Sequence, residues 1–231
     1  MTVTLITGGN KGLGYESARR LIEAGHKVYI GARNSELGRK AAANLGAEFV
    51  QLDVTSESSV TSAAEQIKTR EGHLDVLINN AGISGGFTKP EDVTAEQMLT
   101  TFDTNVFGIV RTTKAFLPLL RKSAAPVIVN VASGLGSFGI VTNPEHFESK
   151  VNNLHYNSSK SAVTMLTLQY ARALPEIRVN VVDPGYTATD LNNHGGPQTV
   201  IEGTDAIVKM AMIGKDGPSG TFTNRKGVIP W

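Results

Sequence analysis

Tyr156 and Lys160 stand four residues apart in the stretch "YNSSK". In a helix that interval puts both side chains on one face, roughly 6 Å apart along the axis. A phenol is a poor acid near neutrality, but a neighbouring ammonium favours its anion and lowers its pKa, which makes Tyr156 a usable proton donor or acceptor. The same pair also decorates ordinary helix surfaces, so its position has to decide. Ser133 supplies that position: it closes the apolar run "VNVASG" and so lies at the carboxyl edge of a strand, where ligands bind in open α/β sheets. Donors gathered there stabilise negative charge developing on an oxygen.

A second set of residues opens the chain. In "TLITGGNKGLG", residues 4–14, glycines and a lysine interrupt an apolar run. Glycine allows a tight turn and close approach of a ligand, and the free N–H groups of a helix beginning there favour a phosphate. Thr7, Gly8, Gly12 and Gly14 follow Thr-Gly-x-x-x-Gly-x-Gly, one residue longer than the common dinucleotide fingerprint. The candidate contacts in this loop are Gly8, Asn10, Lys11, Gly12 and Leu13. At the end of the second strand an NAD site would offer an acidic residue, and this chain has Gly31, Ala32 and Arg33. An arginine there can clamp a 2′-phosphate with its planar fork. Lys11 adds a second cation, so both point to NADP, with solvated surface cations as the alternative. "LDVT" gives Asp53 and Val54; Asp53 either accepts from an adenine amino group or caps the next helix. "NNAG" gives Asn80, Ala81 and Gly82, whose small size serves packing or cofactor contact equally.

Short apolar runs that suit strands buried on both faces occur at 3–6, 27–30, 48–52, 74–78, 127–131 and 179–182. Helical segments separate them at 15–24, 35–45, 56–69, 94–120 and 155–174, with Ser56 and Thr94 as N-caps and Gly25 and Gly46 past C-termini. A helix at 199–212 and a short strand at 221–223 follow. Alternation of this kind implies an α/β fold: a doubly wound parallel sheet with helices on both faces. With 231 residues and no linker, one domain over residues 1–231 is expected.

Twenty-two basic residues against 21 acidic ones argue against a nucleic-acid or anionic-membrane partner. Zero cysteines exclude disulfides and thiolate metal sites, and no histidine pair has metal-motif spacing, so no metal is expected. A strand beginning almost at Met1 leaves no room for a secretory leader, and no apolar stretch reaches a membrane span, which together suggest a cytoplasmic protein. "VASGLG" lacks the Gly-x-Ser-x-Gly nucleophile elbow, which counts against a hydrolase.

Taken in order, "TGGNKGLG", "NNAG", Asn105 in "DTNVFG", Ser133, Tyr156, Lys160 and "DPGYTATD" make the chain resemble the short-chain dehydrogenases/reductases over essentially its whole length, with a carbonyl-reductase-like character. The resemblance implies a Rossmann fold and a tetrad of Asn105, Ser133, Tyr156 and Lys160. Tyr156 would protonate a carbonyl oxygen as hydride arrives from NADPH, and Ser133 would hydrogen-bond that oxygen. Lys160 would bind the nicotinamide ribose and depress the tyrosine pKa, while Asn105 would hold a water linking Lys160 to solvent through its backbone at a helix break. Pro184, Gly185, Thr187 and Thr189 would line the nicotinamide and pyrophosphate. Asp183 departs from the small or amide residue often found before this Pro-Gly.

The implied function is reduction of a small-molecule ketone or aldehyde to an alcohol. Its rivals are oxidation of an alcohol with NADP or NAD, and a sensor that holds NADP without turning it over. The interval between Ser133 and Tyr156 is long, and the inserted segment offers Phe138, Ile140, Val141 and Phe147 as apolar walls for a substrate. Because such insertions can shield a dimer face, both a monomer and a homo-oligomer fit the sequence. The short lid at 187–200 implies an open pocket. His155 and His146 read as surface or packing residues rather than alternative acids, and Trp231 as packed on the body of the chain.

Overall fold

The computed structural model describes residues 1–231. Eight strands form one sheet: β1 (Val3–Thr7), β2 (Lys27–Ala32), β3 (Glu48–Gln51), β4 (Val76–Asn79), β5 (Val127–Val131), β6 (Arg178–Val182), β7 (Phe222–Asn224) and β8 (Gly227–Val228). Their order is β3-β2-β1-β4-β5-β6-β7-β8, parallel up to β7, with β8 antiparallel at the edge. The order reverses between β1 and β4, which creates the crevice where such sheets bind ligands. Every residue of β1, β4 and β5 is buried, as expected for strands covered on both faces.

Nine α-helices complete the chain: α1 (Gly12–Glu23), α2 (Ser35–Leu45), α3 (Glu57–Glu71), α4 (Ala95–Phe102), α5 (Gly108–Leu120), α6 (Phe138–Val141), α7 (Leu154–Ala173), α8 (Val200–Gly203) and α9 (Asp205–Ala211). On one face α1, α2 and α9 pack Ala18, Leu21, Ala41 and Ile207 against Ile6, Ile30 and Val129. On the other, α3 and α5 pack Val60, Ile67 and Phe116 against Leu5, Leu77 and Ile128, and α7 adds Val163 beside Val181. Ser56 and Thr94 cap their helices as expected, and Gly46 ends α2 in the left-handed conformation.

Three expectations need correction. The single helix at 94–120 is two helices joined by a π-helical turn over Asp103–Phe107. The break falls at Asn105, where the resemblance implied one, and the Asn105 side chain bonds to Ile83. The helix at 199–212 divides into α8 and α9 at Thr204. Asp53 is not a helix cap, since Ser56 accepts from Ser59 N at 3.2 Å and Asp53 instead accepts from Thr55 N and Oγ1 at 3.0 and 2.7 Å.

A buried polar ladder ties the two helices that flank the site. Thr112 Oγ1 donates to Asn79 Oδ1 at 2.7 Å, Asn79 Nδ2 to Asn130 Oδ1 at 2.9 Å, and Asn130 Nδ2 to Thr167 Oγ1 at 2.9 Å. Each member is at most 3% exposed, and the ladder joins α5 to α7 through β4 and β5. Removing a member orphans its partners where water cannot replace it. Asn130→Ala is therefore expected to destabilise the protein by about 2–4 kcal/mol, read from the shift of the urea midpoint at constant slope.

The Trp231 ring packs on Phe222 with centroids 5.8 Å apart. Its carbonyl accepts from Gly139 N at 2.8 Å, and the carbonyl of Pro230 accepts from Ser137 Oγ at 2.7 Å. The tail thus closes on α6 within one chain.

Candidate active site

The loops after the parallel strands open on a cleft of about 520 Å³. All the sequence-derived candidates for nucleotide contact, from Gly8 to Thr189, line this cleft, together with Ser133, Tyr156 and Lys160. Asn105 alone among the site candidates does not.

The glycine-rich loop is seated by "NNAG". Asn80 Nδ2 donates to Thr7 O and Gly8 O at 3.0 and 3.2 Å, while Thr7 Oγ1 accepts from the N–H groups of Asn80 and Ala81 at 3.0 Å each. A Cβ at Gly14 would lie 2.5 Å from Gly8 O, so only glycine lets the loop fold under itself. Lys11 stands at the N-cap of α1 but its side chain makes no cap, which leaves the first N–H groups of that helix without a side-chain acceptor beside the cleft. This cradle fits a phosphate. Asn79, by contrast, is committed to the buried ladder.

Arg33 is exposed on the cleft and forms no ion pair. Lys11 does: its ammonium meets Asp190 Oδ2 at 2.8 Å, and His194 Nε2 approaches Asp190 Oδ1 at 3.0 Å. The lid at 187–200 is thereby tied to the glycine-rich loop. Its base is further fixed by Asn192, which donates to Thr187 O at 2.9 Å and accepts from Thr189 N at 3.2 Å. Asp190 carried no signal in the sequence because its partner lies 179 positions away.

At the chemical end, Ser133 begins a tight turn over Gly134–Gly136, accepting from Leu135 N at 3.2 Å. A Cβ on Gly136 would lie 2.5 Å from the Lys160 carbonyl carbon, so the turn presses directly on α7. Asn153 caps α7 by accepting from Tyr156 N at 3.2 Å, which sets Tyr156 in the first turn. Lys160 Nζ donates to Val131 O at 3.0 Å and lies 5.5 Å from the Tyr156 ring centre.

Electrostatics here differ from the expectation of a lysine-depressed phenol. Burial, and next the carboxylate of Asp183, push Tyr156 well above the usual tyrosine range, with only the Ser133 hydroxyl acting the other way. Burial also brings Lys160 down to about 8, against the opposing pull of Asp183. Asp183 is raised in turn, chiefly by its own burial, and accepts from Gly185 N at 2.9 Å, which holds the Pro184–Gly185 turn. Glu148, in the inserted segment, adds a second carboxyl to this end of the cleft and raises Asp183 further.

Asn105 is 1% exposed and bonds by side chain: Oδ1 accepts from Ile83 N at 2.8 Å, and Nδ2 donates to Ile83 O at 2.9 Å and Ser159 Oγ at 3.0 Å. A Cβ on Gly82 would be 3.3 Å from Asn105 Oδ1 and 3.6 Å from Lys160 Nζ, so the two side chains flank the same glycine.

Of the four apolar walls expected in the insertion, only Phe147 lines the cleft, stacked on Tyr186 at 5.9 Å and 15°. Phe138 is 70% exposed, Ile140 is the buried residue of α6, and neither they nor Val141 line the cleft. The wall is completed by residues that the sequence reading missed: Phe87, Tyr186, Leu135 and Val151. No cluster of three or more His, Asp or Glu side chains is placed to hold a metal, and no helix is long and apolar enough to cross a membrane.

Residues 2–199 match the model of a protein family described as short chain dehydrogenase. The chain belongs to that family. Among curated relatives, this short chain dehydrogenase is 33% identical to (+)-neomenthol dehydrogenase of Capsicum annuum over 97% of its own length and 96% of the relative's. It is 30% identical to salutaridine reductase of Papaver bracteatum, over 96% and 94%. Among solved structures, NADPH-bound carbonyl reductase from chicken fatty liver superposes with a TM-score of 0.87 at 27% identity, covering 100% of both chains. The sheet order and its flanking helices are those of the Rossmann fold of these neighbours, and the family makes the protein an oxidoreductase acting on carbonyl or alcohol groups of small molecules.

Proposed function

We propose that this short chain dehydrogenase is an NADPH-dependent carbonyl reductase, converting a ketone or aldehyde into an alcohol in the cytoplasm. The observation that carries the reading is the convergence of Ser133, Tyr156 and Lys160 on the same cleft as the phosphate cradle and the unpaired Arg33. Bound NADPH supplies the hydride. Arg33 and Lys11 hold the 2′-phosphate, Lys11 exchanging Asp190 for it, and Gly8, Asn10, Gly12 and Leu13 offer the loop backbone to the pyrophosphate. Asp53 and Val54 border the adenine, and Asn80, Ala81 and Gly82 border the ribose. Pro184, Gly185, Thr187 and Thr189 form the nicotinamide wall. A relative whose structure holds NADPH supports the choice of cofactor.

As hydride reaches a carbonyl carbon, charge develops on oxygen, and Tyr156 gives that oxygen its proton while Ser133 donates a hydrogen bond to it. In the cofactor-free protein burial and Asp183 hold the phenol protonated, and the Lys160 ammonium is the charge that eases loss of that proton to the alkoxide. Lys160 holds the ribose and steadies the phenolate left behind, and Asn105 fixes Gly82 beside Lys160. The stacked rings of Phe147 and Tyr186 favour a flat hydrophobic carbonyl compound.

The test is NADPH oxidation against aliphatic, aromatic and quinone carbonyls, with NADH in parallel. Turnover with NADPH and little with NADH is expected. Tight NADPH binding with no turnover across the panel would replace this reading with that of a nucleotide sensor.

A further inference from the structure

Residues 82–88 cross the mouth of the cleft, and Ile83, Ser84 and Phe87 line it. This loop makes no main-chain to main-chain hydrogen bond, and Gly85 and Gly86 both adopt left-handed backbone, with φ of 73° and 85°. Such a segment has no secondary structure to hold it, so side chains from elsewhere must set its position. Asn105 grips its start at Ile83. Its middle is held at one atom: Gly86 O accepts from Asn153 Nδ2 at 3.1 Å and from His155 Nε2 at 3.3 Å.

His155 is 0% exposed, the packing half of the surface-or-packing reading. A Cβ on Gly85 would lie 2.5 Å from its Cδ2 and 2.5 Å from Thr101 Oγ1, so the imidazole is packed directly behind the loop. The bond to Gly86 O is its only hydrogen bond, since Nδ1 is buried without a partner. The proton therefore resides on Nε2, as donation to a carbonyl requires. Asn153 and His155 belong to the cap and first turn of α7, the same turn that presents Tyr156. Next to the clamped carbonyl is Phe87, 78% exposed at the cleft mouth.

We propose that His155, with Asn153, is a specificity-determining positioning residue: by clamping Gly86 O it holds Phe87 as one wall of the substrate mouth, in register with Tyr156. The wall discriminates between carbonyl compounds large enough to touch Phe87 and those too small to reach it. This rests on the reductase reading for its kinetic readout, but the clamp itself has a readout without turnover.

The test compares His155→Leu, which keeps apolar bulk and removes the donor, with His155→Gln, which keeps a donor. Hydrogen exchange of the Ile83 and Gly86 amides, the two in the loop that donate hydrogen bonds, is expected to accelerate in the NADPH-free His155→Leu protein and to return toward wild type in His155→Gln. With menthone as the bulky probe, KM should rise about fivefold to tenfold in His155→Leu with kcat little changed, and with butanal neither should move. Phe87→Ala, an exposed position where folding is secure, should reproduce the menthone effect if His155→Leu does not fold. Unaltered exchange in a folded His155→Leu, or an unaltered menthone KM in Phe87→Ala, would overturn the proposal. No turnover by wild type on either probe, with exchange responding as expected, would instead count against the reductase reading and leave the clamp standing.

Discussion

Tyr156→Phe is expected to bind NADPH as wild type does and to lose turnover by about 10²–10⁴-fold, the range a positioned acid contributes. The change deletes one oxygen and leaves the ring in the first turn of α7, 5.5 Å from Lys160 Nζ, while the glycine-rich loop is seated by Asn80, so neither fold nor cofactor cradle loses a support. What disappears is the proton for the developing alkoxide. Ser133 can still donate a hydrogen bond but has no base behind it to release its proton. The measurement is single-turnover NADPH oxidation together with the cofactor dissociation constant. A loss of only a few-fold would transfer the acid role to another group or to water. The pH dependence follows from Lys160. Burial brings it to about 8, so its charge is present below that pH and lost above it. The kcat/KM for NADPH, which reports ionisations of the cofactor-free enzyme, should therefore fall as pH rises through about 8.

The parts of the fold that the sequence made legible are those governed by local patterning. Apolar runs such as 127–131 suit doubly covered strands, and caps such as Ser56 are read within three residues. The chemical trio was legible because each member sits at a strand end or on one helix face. What escaped was set by distant side chains. The break between α4 and α5 has no local breaker residue and was legible only through the resemblance at Asn105; the bond of Asn105 to Ile83, 22 positions upstream, had no local signal. His155 could be read only as surface or packing because the loop that buries it lies about seventy residues away and owes its path to Gly85 and Gly86. The raised tyrosine was equally hidden: a four-residue interval announces the lysine, but neither the burial nor Asp183, just past the end of β6. Phe138, Ile140 and Val141 failed as walls because α6 is turned toward the tail, where Pro230 and Trp231 hold it.

The same distinction bears on the choice of cofactor, where Arg33→Asp is expected to lower kcat/KM for NADPH by about 10²-fold or more and to improve it for NADH. Arg33 follows β2, on the cleft, with no acidic neighbour competing for its guanidinium. A charge-assisted, two-pronged contact to a 2′-phosphate is worth about 1.5–3 kcal/mol, and a carboxylate in its place adds repulsion. That carboxylate would accept from the ribose hydroxyls of NADH, the contact this chain lacks. Lys11 should matter less, because it begins in an ion pair with Asp190 at 2.8 Å and must give that up to reach a phosphate. Both partners are more than half exposed, so the pair itself stabilises little. Its consequence is instead a difference between variants: Lys11→Ala should weaken NADPH less than Arg33→Asp, and Asp190→Asn should strengthen it modestly by freeing the lysine. Titrating NADPH fluorescence in the three variants at two salt concentrations measures this order. A Lys11→Ala effect as large as that of Arg33→Asp would mean that Asp190 offers no competition and that the two cations select the phosphate together.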